Sequence, residues 1–191
     1  MRNLISIFTA TAILVAIGLG CSKLALPSKV NIFESDNAVK AAAKIKEKIG
    51  ADKVRVNRAE IRKDKMVLTV QSPTNPKNID NYTFSNGSVT GPEPEKAFSF
   101  GDHEMTADKY VSTEIGEIGF AAIPETIKQA IYDSKVENGD VDLISMEPDL
   151  PKGGTIGDTP LVFMWRIFVD GPRGRKSLWA DKDGKLNGRT A

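Results

Sequence analysis

Tyr82-Thr83-Phe84-Ser85-Asn86-Gly87-Ser88-Val89 and Trp179-Ala180-Asp181-Lys182-Asp183-Gly184-Lys185-Leu186 lie at a constant offset of 97 residues. Aromatic falls on aromatic, Gly87 on Gly184 and Val89 on Leu186. Both blocks read as a strand running into a tight turn, because Asn-Gly and Asp-Gly supply the positive φ that a hairpin turn needs. Each follows a proline-containing turn. The first is Ser72-Pro73-Thr74-Asn75-Pro76, where two prolines remove two ladder donors, and the second is Gly171-Pro172-Arg173-Gly174.

The elements ahead of each block also come in the same order. Ala38, Ala42, Ile45 and Ile49 form one helical stripe, with Lys40, Lys44, Lys46, Glu47 and Lys48 on the wet side. Ser35 is the expected N-cap, Asp36 faces the positive end of the dipole, and Gly50 is the stop. Strands follow from Val54 to Ile61 and from Met66 to Val70, parted by the charged turn Lys63-Asp64-Lys65. In the second half, Pro124 suits a first helical turn, Ile127, Ala130 and Ile131 make the apolar side, and Asn138-Gly139 is the stop. Val141 to Met146 reads as a strand, and Leu150 to Pro160 as a long loop. Leu161 to Val169, the most apolar run after the leader, reads as a central strand. This pattern predicts an α+β fold of two tandem units, each one helix packed on an antiparallel sheet of three or four strands, and points to internal duplication. The expected organisation is a signal peptide at 1–20, a tether at 21–33, a first unit at 34–96, a connecting segment at 97–120 and a second unit at 121–191.

A helix followed by an antiparallel sheet ending in aromatic-x-x-x-Asn/Asp-Gly-x-aliphatic resembles the PepSY domain. Two such units in tandem resemble the architecture of the secreted β-lactamase inhibitor protein, and the likeness extends over residues 34–191. It implies a binding role, such as protease inhibition, enzyme inhibition or envelope regulation. No inhibitory contact residue of that group has a motif to place on this chain.

The N-terminus carries the location signal. Met1-Arg2-Asn3 is a short basic region, Leu4 to Leu19 is apolar but too short to span a bilayer comfortably, and polar sequence begins at Ser22-Lys23. That is the layout of a cleaved export signal. It ends in Ile17-Gly18-Leu19-Gly20-Cys21-Ser22, which resembles the lipobox of bacterial lipoproteins, with Gly18 where that family usually has Leu. Gly18 and Gly20 also satisfy the small-x-small rule of the ordinary signal peptidase. The lipobox resemblance implies cleavage before Cys21, a diacylglycerol on its thiol and an acyl chain such as palmitate on the new amine. Cys21 is the one cysteine of the chain, so it has no intramolecular partner, and a free thiol would be a liability in an oxidising compartment. Several acyl chains make a stable anchor where one does not. In the resembling family Ser22 in place of Asp favours the outer membrane, with the domain facing the periplasm.

Composition narrows the function classes. Removing Arg2 with the leader leaves basic and acidic residues equal in number and interspersed. A near-neutral chain lacks the basic field that displaces counterions from nucleic acid, so no nucleic-acid partner is expected. With no second cysteine to staple it, the mature chain must rely on its own core, burying roughly 70% of its unfolded surface.

Catalytic groups are scarce. His103 is the one histidine, which excludes a multi-histidine metal site, and no metal or cofactor is expected. Gly101-Asp102-His103-Glu104 reads as a solvated loop, Asp181-Lys182-Asp183-Gly184 lacks the closing glutamate of a calcium loop, and Gly153-Gly154-Thr155-Ile156-Gly157 lacks the Lys-Ser/Thr of a phosphate cradle. The chain therefore reads as a non-catalytic binder of an envelope protein. The alternative is an exported hydrolase using carboxylates. One face of a half-covered sheet can carry aromatic and arginine anchors. Trp165, Arg166, Arg173, Arg175 and Trp179 are the candidate contact residues if that face is uncovered, against core packing for the aromatics.

Overall fold

The computed structural model describes residues 30–95, 99–100, 103–104, 111–151, 153 and 160–191. The expected signal peptide, Cys21, most of the tether, Asp102 and Gly157 lie outside the described residues. The strands are β1 (Arg55–Ile61), β2 (Lys65–Gln71), β3 (Ile79–Ser85), β4 (Ser88–Pro94), β5 (Ser99–Phe100), β6 (His103–Glu104), β7 (Thr113–Glu114), β8 (Asp140–Asp149), β9 (Val162–Gly171), β10 (Gly174–Asp181) and β11 (Leu186–Thr190). The helices are α1 (Asn37–Ile49) and α2 (Ile123–Ser134).

The expectation of two separate helix-on-sheet units is overturned. One antiparallel sheet of nine strands runs in the order β11-β10-β9-β8-β1-β2-β3-β4, with β7 pairing on β1. Its two halves are fused where β1 meets β8, at Ala59 opposite Met146, Glu60 opposite Ser145 and Ile61 opposite Ile144. Both helices feed one hydrophobic cluster, so there is a single core rather than two.

The sequence repeat also fails a parity test. Tyr82 pairs with the buried Leu68 and points into the core cluster. Trp179, its counterpart at the constant offset, pairs with Arg166 and lies outside that cluster, whereas its neighbours Leu178 and Ala180 lie inside it. Side chains alternate faces along a strand, so a register that differs by one residue puts the matched aromatics on opposite sides of the sheet.

Local signals explain most elements. In α1, Ala38, Ala41, Ala42 and Ile45 are buried, and burying a side chain the size of Ile45 contributes roughly 1.5–3 kcal/mol. Gly50 ends the helix in a left-handed conformation, its N–H donating to the Lys46 carbonyl at 3.1 Å. Ser35 does not cap it: Asp36 holds the N-cap position and pairs with Lys40 at 2.7 Å. Helix α2 stops at Ser134, short of Asn138-Gly139, because Lys135 turns left-handed and the Ser134 hydroxyl donates to the Ile131 carbonyl and accepts from the Val136 N–H.

The end of the expected tether belongs to the core. Val30, Ile32 and Phe33 are buried, and the Ile32 N–H donates to the Lys63 carbonyl at the β1–β2 turn. Apolar side chains there lack a helical or strand period, which is why the sequence reads as a linker.

Candidate functional site: the sheet face opposite the helices

Residue parity in β9 and β10 sorts the candidate residues. Trp165, Ile167 and Val169 point toward α2, together with Leu178 and Ala180 of β10. Trp165 is 1% exposed. Its indole Nε1 donates to the Lys182 carbonyl at 3.2 Å, and its ring meets Phe120 edge-on at 6.0 Å. Trp165 is therefore placed as a core residue, away from any contact surface.

Arg166, Phe168 and Trp179 point the other way and stack. The Arg166 guanidinium lies 4.8 Å from the Phe168 ring and 4.8 Å from the Trp179 ring. Arg189 of β11 lies 4.4 Å from the same indole, and Arg175 lies 5.9 Å from Phe168. The result is an alternating ladder, Arg175-Phe168-Arg166-Trp179-Arg189, across three strands. Arginine is the cation best suited to this, because its flat, weakly hydrated group stacks on aromatic faces.

The acids around the ladder are unevenly shared. Asp170 takes two hydrogen bonds from Arg175, at 2.5 and 2.9 Å. This pairing holds the Asp170 carboxyl below its ordinary value, chiefly through the hydrogen bond, and raises Arg175 above its own. Asp149 accepts from both Arg189 at 2.9 Å and the Trp179 indole at 3.0 Å. Among the described residues Arg166 donates one hydrogen bond, to the Ser177 hydroxyl at 3.3 Å, and its buried Nε has no partner. Arg173 sits apart, on the β9–β10 turn, 85% exposed and 3.9 Å from Glu137.

Three of the five candidates, Arg166, Arg175 and Trp179, thus come together, joined by two residues that sequence reasoning missed. Phe168 sat inside an apolar run read as a central strand and was not singled out within it. Arg189 becomes a rung only because β11 folds back on β10. Beyond the ladder this face is polar: Arg58 pairs with Glu60 and Glu95, and the Thr69 hydroxyl donates to Asn81 Oδ1 at 2.7 Å. On the helix side, a groove of about 320 Å³ lies between α1 and the segment Ile115–Ala121, lined by Val39, Ala42, Lys46 and Phe120. Among the described residues no set of three His, Cys, Asp or Glu side chains is placed to hold a metal, and no helix is long and apolar enough to cross a membrane.

No family model matches the sequence, and no curated protein matches it. A solved structure is similar. It is the crystal structure of a candidate lipoprotein from Clostridium difficile 630, with a TM-score of 0.52 and 18% identity, over 87% of this chain and 95% of that one. The likeness is one of fold.

Proposed function

We propose that the chain is an exported, non-catalytic lipoprotein, anchored through acyl chains on Cys21 to the outer membrane and facing the periplasm. Its role is to bind an envelope protein, as an inhibitor or an assembly factor. The anchor rests on the lipobox-like Leu19-Gly20-Cys21 behind an export leader and on the lack of any other cysteine. A neighbour of the same fold described as a lipoprotein is consistent with it.

The observation that carries the binding role is the arginine–aromatic ladder on the face opposite the helices. Aromatic and arginine side chains are the residues that most often dominate binding energy at interfaces, and here they are pre-ordered by stacking before a partner arrives. Photo-crosslinking in intact cells tests the reading. A photoreactive residue at Leu143, opposite Phe168 on β8, should form a discrete protein adduct. One at Tyr132, exposed on α2, should not. Equal labelling from both positions contradicts the assignment of the face.

A further inference from the structure

We propose that Arg166 is the receptor for an acidic side chain of the partner protein. This rests on the ladder face being the binding face and specifies what that face recognises. The three arginines of the ladder all lie against its rings but are neutralised differently. Arg175 has the bidentate Asp170, and Arg189 has Asp149 and the Leu150 carbonyl. Arg166, at the centre, has one neutral hydroxyl at 3.3 Å and forms no ion pair among the described residues. Its Nε is buried without a partner among the described residues.

A guanidinium fixed between two rings is poorly hydrated, and a charge in such surroundings is ordinarily paired. Among the described residues, acids pair with both flanking rungs and none with this one. Glu147, which shares the face and stands opposite Met164 next along β9, makes no ion pair with it. Rotamer entropy has already been lost to the stack, so a carboxylate meets a pre-formed donor at Nη1, the guanidinium nitrogen that is neither buried nor bonded to Ser177. Arg166 remains part-exposed, which leaves an approach from solvent.

The test uses the full mature chain and two defined peptides, N-acetylated and C-amidated tetraglutamate and its tetraglutamine isostere. Side-chain NMR on protein labelled at arginine nitrogen reads each guanidinium, and the indole N–H reports on Trp179. Tetraglutamate should shift the Arg166 signal saturably and more than that of Arg173, while tetraglutamine should not. In Arg166→Gln, shown folded by its thermal midpoint, apparent affinity read at Trp179 should fall by about tenfold or more. The in-cell adduct from Leu143 should fall similarly. The wild-type titration stands without any variant. A response no larger at Arg166 than at Arg173, or an undiminished Leu143 adduct in Arg166→Gln, overturns the proposal while leaving the binding face in place. No adduct from Leu143 in the wild type removes the binding face, and the proposal with it.

Discussion

Trp165 and Arg166 are consecutive in the chain and face opposite sides of the sheet, the indole sealed against Phe120 and the guanidinium stacked on Trp179. Strand alternation gives two neighbouring residues unrelated tasks. Trp165→Ala should destabilise the domain by about 3–5 kcal/mol in denaturant melts, as expected for truncating a buried aromatic. Arg166→Gln should cost less, about 1–2 kcal/mol, because it removes one weak hydrogen bond and the stacking on Phe168 and Trp179 but also a buried donor without a partner among the described residues. Equal losses would mean that Arg166 is mainly structural.

Ile32 anchors the first described segment. It is fully buried and tied to Lys63 by its backbone. Ile32→Ala should cost about 2–4 kcal/mol, read as a lower denaturant midpoint with unchanged slope. A neutral effect would return residues 30–33 to the linker.

Two glycines with positive φ separate strain from crowding. At Gly50 (φ +69°) an added Cβ meets nothing within 4 Å, so Gly50→Ala should cost about 1–2 kcal/mol of backbone strain alone. At Gly184 (φ +89°) the Cβ would stand 2.5 Å from Thr126 Oγ1 and 2.7 Å from Ala122 Cβ. The hydrogen bond from the Thr126 hydroxyl to the Gly184 carbonyl is also at risk. Gly184→Ala should therefore cost about 1–3 kcal/mol more than Gly50→Ala. Equal costs would show that the β10–β11 turn is not clamped against α2.

Acid should weaken the outer end of the ladder. The hydrogen bond from Arg175 holds Asp170 below its ordinary carboxyl value, against the opposing pull of desolvation, with the Arg175 charge adding to it. A carboxyl lowered on folding contributes stability above its unfolded value, about 3.9, and loses it as pH falls through the lower folded value. Asp170→Asn should flatten the fall in stability below about pH 4 and cost no more than about 1 kcal/mol at neutral pH, because the pair is open to solvent. An unchanged acid limb would remove Asp170 from the pH response.

Hairpins were legible in the sequence because their signals are local. Asn86-Gly87 turns with both residues at positive φ, as its composition requires, and Gly50 ends α1. The fusion of β1 with β8 was not, because Ala59 and Met146 meet across more than eighty residues with no turn between them to announce it. The aromatic match that suggested two units compared residue types and ignored which face each occupies. The ladder was half legible. Arginine and tryptophan on adjacent strands pointed to it, but its order depends on the β9–β10 register, on Phe168 and on the return of β11.

The anchor on Cys21 decides where the ladder face works, and intact-mass spectrometry of the chain purified from the membrane fraction of a bacterium that expresses it tests this most directly. The account predicts a mature chain beginning at Cys21 with the added mass of a diacylglycerol and an amide-linked acyl chain, and its loss from membranes in Cys21→Ala. A free thiol at the new N-terminus, or a leader still attached, contradicts it.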